Sequence, residues 1–395
     1  MKSVELFAGA GGLALGVHAA DFKHEALVEF DKDACATLRT NAQNESVSGI
    51  GDWNVLEQDV RTMDFSPYKG ADLLSGGVPC QPFSSGGKRR GRDDERNMFP
   101  AFIQAVCEIQ PQAFIIENVK GLMWERFQKY FTYILLQLQF PLFSRRPQEK
   151  WMTHCSRLQA EAVANGHHDL EYTVAAKTLN AADFGVPQRR ERVFIVGFQK
   201  KLGVQWSFPP PTHSREALLH AQWVTGAYWT SRKLKRPTGP APTLAGQVKT
   251  LNRDIFHDLE PWATVRDALR RLPKPKANTD QGISGHRLVE GARSYTGHTG
   301  SDLDFPAKTL KAGVHGVPGG ENTLVLPNGG VRYFTIREAA RLQSFPDEWI
   351  FEGSWAAHIR QLGNAVPVSL VKKIASAVAD HLHEVDKRGR GVRAA

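Results

Sequence analysis

Cysteine is scarce in this chain. Four thiols, Cys35, Cys80, Cys107 and Cys155, are scattered over 395 residues, too few and too far apart for a disulfide framework or a paired-cysteine zinc site. Each is therefore read as a free thiol, and no metal centre is expected. Long apolar runs are also missing: none approaches the ~20 residues of a membrane-spanning helix, and the N-terminus enters a strand pattern without the outline of a signal peptide. A cytoplasmic protein with no membrane partner is expected. Negative charge is in deficit, 41 Asp and Glu against 50 Lys and Arg for a net +9, a balance compatible with a polyanionic partner.

What is present suffices for two cores. The length exceeds that of a usual single domain, and 41% of the residues are hydrophobic, so two domains are the natural expectation. Over the first 200 residues short apolar runs alternate with helix-like segments. SVELF leads into the glycine turn AGAGGLALG, HEALVEF into DKDACATLRTNAQ, and NVLEQDV, ADLLSGG, AFIIENV and RVFIVGF follow. This is the pattern of a wound parallel α/β sheet, whose ligands collect at the carboxyl ends of the strands. A helical-looking insert occupies 124–172. From about Gln205 the chain becomes rich in proline and glycine (FPPPTHS, KRPTGPAPT, LPKPKAN) and interleaves Trp223, Tyr228 and Trp229 with Arg232, Lys233, Lys235 and Arg236. A loop-rich second domain is expected there. Helical period returns at TIREAARLQSF and VPVSLVKKIASAVADHLHEV, and the basic tail KRGRGVRAA reads as a disordered end.

The residues of chemical interest stand at strand ends. Gly9, Gly11 and Gly12 let the backbone approach a nucleotide-type cofactor, and Phe7 offers an apolar face to an adenine. Glu29, ending the second strand, can accept from ribose hydroxyls; Asp59, ending the third, can accept from an adenine amino group. Cys80 follows a proline among small residues (SGGVPCQPFSSGG) and precedes a basic glycine-rich loop, GGKRRGRDDER. The other three cysteines read as small buried hydrophobes. A free thiol has a pKa of about 8.5, so Cys80 needs nearby positive charge to act as thiolate. Glu117 and Asn118 end another apolar run, and a thiol with a carboxyl at neighbouring strand ends can attack and protonate a pyrimidine. In GVPQRRERVFIVG, a period of two puts Arg190 and Arg192 on one face, able to converge on a carbonyl oxygen and a carboxylate.

Taken in order, six segments resemble the motifs of bacterial DNA (cytosine-5)-methyltransferases of the restriction-modification type. They are ELFAGAGGL, PCQPFS, ENVKGL, QRRERVF, RYFTIREAARLQSFPD and QLGNAVP. The resemblance covers nearly the whole chain. It implies an S-adenosylmethionine-dependent, Rossmann-like α/β methyltransferase sheet over 1–204, a smaller loop-rich target-recognition domain over 205–357, and a C-terminal helix returning to the catalytic domain over 358–395. It further implies that S-adenosyl-L-methionine is held by Phe7, Gly9, Gly11, Gly12, Leu13, Glu29, Phe30, Asp59, Val60, Pro79, Asn364 and Ala365.

The same resemblance implies the chemistry. Cys80 attacks C6 of a flipped-out cytosine, Glu117 contacts N3, Arg192 holds O2 and Arg190 orders the pocket, with Gln81 and Asn118 beside them. The loop from Ser84 to Arg96 is the implied lid, and sequence recognition falls to about 205–331, with loops around Arg287 to Lys311 the better candidates. The expected partner is double-stranded DNA, the setting a monomeric cytoplasmic prokaryotic enzyme acting on nucleoid DNA, with a restriction endonuclease of the same site as a possible companion. A transfer-RNA cytosine-5 methyltransferase of the same fold is the alternative, and the long 205–331 segment argues against it.

Overall fold

The structure, a computed structural model, describes residues 1–79, 97–164, 168–251, 259–294, 299–313 and 322–393, with side chains through 388. Among these residues seven strands form one sheet: β1 (Lys2–Leu6), β2 (Lys23–Glu29), β3 (Val55–Glu57), β4 (Leu73–Gly77), β5 (Ala113–Val119), β6 (Tyr172–Asn180) and β7 (Glu191–Gln199), in the order β3-β2-β1-β4-β5-β7-β6. Helices α1 (Gly12–His18), α2 (Lys32–Gln43) and α3 (Phe99–Ile109) follow β1, β2 and β4. Strands β1 to β5 pair in parallel. Their centres are continuous apolar runs, as in Phe114, Ile115 and Ile116, all fully buried, because a parallel sheet is covered on both faces.

One strand departs from the wholly parallel expectation. β7 runs antiparallel to β5, with Glu117 opposite Phe194 and Val119 opposite Arg192. The reversal places the start of β7, rather than its end, at the carboxyl edge of β5. Helices α4 (Gln128–Gln139) and α5 (Trp151–Ala164) account for the insert; they pack through Tyr133, Phe140 and Leu158.

Contacts divide the chain into two compact units. The first comprises Met1–Leu179, Glu191–Pro209 and Glu348–Ala395, the second Asn180–Arg190 and Pro210–Asp347. Residues 348–357, read from sequence as part of the smaller domain, thus fall in the first unit. Their bonds explain why: Asn41 exchanges hydrogen bonds with the backbone of Ile350, and Thr40 donates to Glu352. The unit is completed by α11 (Trp355–Asn364) and α12 (Val368–Arg393). α12 lies so close on α1 that a Cβ on Gly16 would come within 2.4 Å of the Val371 Cβ. The terminal segment expected to be disordered continues this helix to Arg393; its two glycines weaken the helix without breaking it.

The second unit is built from short elements: β8 (His213–Ser214), α6 (Arg215–Leu219), α7 (Ala227–Ser231), α8 (Pro242–Lys249), β9 (Glu260–Pro261), α9 (Val265–Ala268), β10 (Thr323–Val325), β11 (Val331–Tyr333) and α10 (Ile336–Leu342). Its aromatic residues serve the interior. Leu218, Tyr228, Trp229 and Trp262 form a core, and Arg232 lies over the Tyr228 ring while pairing with Asp267. No helix of the described residues is long and apolar enough to cross a membrane.

Candidate active site

The glycine turn begins with backbone that few residues tolerate. Phe7, directly after β1, has φ 57°, Gly9 54° and Gly11 87°; the left-handed region costs a residue with a Cβ roughly 1–2 kcal/mol. Gly11 is forced further by packing, since a Cβ there would meet Leu38 at 2.8 Å and Trp349 at 3.0 Å. Gly9 is open, with nothing within 4 Å of a Cβ. Gly12 and Leu13 begin α1 and are buried. The turn is tied to the next strand by Glu29, whose carboxylate accepts from the N–H groups of Gly9, Phe30 and Asp31, each at 2.7 Å. Three bonds leave acceptor capacity for a ligand hydroxyl, because a carboxylate has about four sites.

Around this turn stand the other expected cofactor residues. Phe30 is 73% exposed at the end of β2, a large ring with no burial to explain it. Asp59 lies two residues beyond β3 instead of ending it; it caps the turn Val60–Thr62 and is engaged by Arg61, whose hydrogen bonds hold its carboxyl below the usual range. Val60 is buried. Asn364 is exposed at the last turn of α11 and Ala365 is its buried cap, just ahead of the helix that packs on α1. An open glycine backbone, an exposed ring and two carboxylates suit a ligand with adenine, ribose and a charged amino-acid portion.

At β4, β5 and β7 the site becomes electrostatic. The Glu117 carboxylate receives Nε of Arg192 at 2.9 Å, with the two side chains only 8% and 12% exposed. The antiparallel β7 makes this possible by delivering Arg192 beside Val119. Glu117 lies level with Gly77 in the parallel pairing, and the absent side chain leaves room: a Cβ there would stand 3.8 Å from Glu117 Oε2. Asn118 is buried, and its Nδ2 donates to the Val78 carbonyl at 3.2 Å. It thereby anchors the chain one residue before Pro79. Cys80, Gln81 and the expected lid lie outside the described residues.

The remaining cysteines are not nucleophiles in waiting. Burial pushes the Cys35 thiol up to about 12 and Cys107 up to about 11, and raises Cys155 as well; none carries appreciable thiolate at neutral pH.

Arg190 stands one residue ahead of β7. It belongs to the second unit and donates Nη1 to the Leu310 carbonyl at 3.1 Å while almost fully buried. Gln188 works in the same place: it accepts from Leu310 N–H and donates to the Leu342 carbonyl. Arg190 thus holds Leu310 in the second unit, while Arg192 holds Glu117 in the first.

Three contributors escaped the sequence. Trp349, fully buried against Gly11, lies 338 positions away with no local signal. Arg61, which pairs with Asp59, stands in no motif of the sequence. Glu5 was passed over within ELFAGAGGL, yet its carboxyl is wholly buried, accepts from Ser75 Oγ at 3.0 Å, and is pushed up to about 8 chiefly by desolvation.

Comparison with known proteins identifies the family. The family model of the C-5 cytosine-specific DNA methylases matches residues 1–144 and 150–380. The type II methyltransferase M.Eco47II of Escherichia coli is 32% identical over 98% of this chain and 80% of its own length; M.NgoMIV of Neisseria gonorrhoeae is 31% identical over 94% and 95%. Among solved structures, the Dnmt2 methyltransferase of S. pombe superposes with a TM-score of 0.55 over 97% of this chain and 99% of that one, at 16% identity, a likeness of fold. The matched family is one of DNA methylases, which disfavours the RNA-directed alternative. The chain belongs to the C-5 cytosine-specific DNA methylases, and is a sequence-specific DNA (cytosine-5-)-methyltransferase that uses S-adenosylmethionine.

Proposed function

We propose that the reaction runs at the carboxyl ends of β4 and β5, with Cys80 as nucleophile, Glu117 at N3 of the cytosine and Arg192 at its O2. The observation that carries this reading is the buried Glu117–Arg192 pair, held level with the strand that leads three residues later to Cys80. A stacked cytosine exposes neither ring face, so the target base must leave the duplex, at a cost of a few kcal/mol. The Cys80 thiolate then bonds to C6, and the C5–C6 π pair shifts toward C5 as charge develops on N3 and O2. Glu117 meets that charge at N3 by hydrogen bonding or proton donation. Arg192 has donors to spare: a guanidinium offers five N–H groups, so one can stay on Glu117 while another takes O2. S-adenosylmethionine supplies the electrophilic methyl group that C5 takes up. Loss of the C5 proton to a base and of Cys80 from C6 restores the aromatic ring.

Phe7, Phe30, Glu29 and Asp59 would hold the cofactor: the rings against adenine, Glu29 on ribose hydroxyls and Asp59 on the adenine amino group. Gly9, Gly11, Gly12, Leu13, Val60, Pro79, Asn364 and Ala365 complete the wall. Asn118 and Arg190 act as positioning residues, the first through Val78 and the second through Leu310. Recognition of the DNA sequence is assigned to 205–331. Duplex DNA as substrate, a monomer in the prokaryotic cytoplasm and a companion endonuclease of the same site complete the proposal. Glu117→Gln, nearly isosteric, should lower methyl transfer to duplex DNA by about 10²–10⁴-fold while leaving duplex binding near the parental value in a filter or anisotropy assay. A variant of parental rate would remove Glu117 from the chemistry.

A further inference from the structure

The acceptor assigned to adenine is already engaged by a neighbour. Arg61 places Nε at 3.0 Å from Oδ1 and 3.1 Å from Oδ2 of Asp59, and Nη2 at 2.6 Å from Oδ2, while its backbone N–H takes Oδ1 at 2.9 Å. A carboxylate offers about four acceptor sites, so a residue two positions along the chain fills most of them. The Arg61 side chain is 57% exposed, and rotation of the guanidinium into solvent uncovers both oxygens without moving the backbone. The backbone bond from Arg61 N–H stays, so Asp59 keeps its place when the side chain leaves. We propose that Arg61 competes with the adenine amino group for Asp59 and so sets the affinity of the site for the adenosyl part of its ligands. The inference rests on the reading of Asp59 given above.

The chemistry fixes what this competition does. A charged guanidinium is a stronger partner for a carboxylate than a neutral exocyclic amine, and the ligand must displace at least one of its bonds. Exposed ion pairs are weak, however, so displacement lowers affinity by about two- to five-fold rather than by orders of magnitude. The adenosyl group is common to S-adenosylmethionine and to the S-adenosylhomocysteine left after transfer. Both should be weakened by the same factor, which speeds product release as much as it loosens cofactor binding.

The test is calorimetric titration of the full chain with each of the two ligands. Arg61→Met keeps the aliphatic bulk and removes the charge. It should bind both ligands about two- to five-fold more tightly at low salt, and the gap from the parent should narrow at about 0.5 M salt, where the Arg61–Asp59 attraction is screened. Unchanged or weaker binding by Arg61→Met, or a change for only one ligand, would overturn the competition. Asp59→Ala, which removes both acceptor oxygens, separates the two readings. If it binds like the parent, Asp59 is no adenine acceptor and both readings fall. If it weakens binding while Arg61→Met does not tighten it, the competition alone is lost.

Discussion

A buried carboxyl with no cation beside it carries a pH dependence that a surface carboxyl does not. Glu5 is fully buried and its pKa is raised from 4.5 to about 8, mainly by desolvation and only partly offset by Ser75 and Ala14. The folded state therefore holds a proton that the unfolded chain gives up. Its contribution is complete below about pH 4.5 and disappears as pH rises through about 8, at up to about 1.4 kcal/mol per pH unit. Urea unfolding between pH 5 and 8.5 should lose stability more steeply in the parent than in Glu5→Gln, which stays neutral throughout; parallel profiles would mean that Glu5 ionises freely in the fold. The residue scale is where sequence was most and least informative. Glu117 stands out in a short motif at a strand end, where the structure pairs it with Arg192; Cys80 lies outside the described residues. The buried state of Glu5 does not stand out, because one acidic letter in an apolar strand looks the same whether its side chain meets water or Ser75. Glu29 was read as a ligand acceptor, and three backbone N–H groups give it a second task in holding the turn.

At the scale of elements, β1, the glycine turn and α1 form one device, and its glycines are not equivalent. Gly11→Ala meets both a positive φ and the side chains of Leu38 and Trp349, so it should cost stability well above the ~1 kcal/mol of an unfavourable φ alone. Gly9→Ala meets only the φ penalty in the protein, yet places a methyl group in space proposed for the cofactor. Thermal unfolding should rank Gly11→Ala as clearly less stable than Gly9→Ala, whereas titration with S-adenosylmethionine should find Gly9→Ala impaired beyond its stability loss. The opposite ranking would move the ligand away from Gly9. Strands β1 to β5 were legible because apolar runs alternated with helical period and glycine turns. The direction of β7 was not, since the alternation of side chains along a strand is the same whichever way its neighbour runs. That hidden direction is what brings Arg192 to Glu117. The C-terminal helix was foreseen, but it extends through a segment whose charge and glycines suggested disorder.

For the whole molecule, length and composition lead to an expectation of two domains, and contacts divide the chain into two units between which it crosses several times. Residues 180–190 belong with the second unit and 348–357 with the first; such exchanges depend on contacts like Asn41 to Ile350 and Gln188 to Leu342, which no local pattern encodes. If 205–331 specifies the DNA site, replacing it with the equivalent segment of a relative of different specificity should transfer that relative's methylation pattern, read by bisulfite sequencing. An active chimera keeping the parental pattern would place recognition elsewhere. The covalent role of Cys80 is the most exposed claim of all. With S-adenosylmethionine and a duplex carrying 5-fluorocytosine at the target, the reaction should stop after methyl transfer, because fluorine cannot leave C5 as a cation. The parent should then form a denaturation-resistant protein–DNA adduct that peptide mapping assigns to Cys80. Cys80→Ala should form none, while Cys35→Ala, Cys107→Ala and Cys155→Ala should retain it; an adduct in Cys80→Ala, or one mapped to another cysteine, would contradict the mechanism.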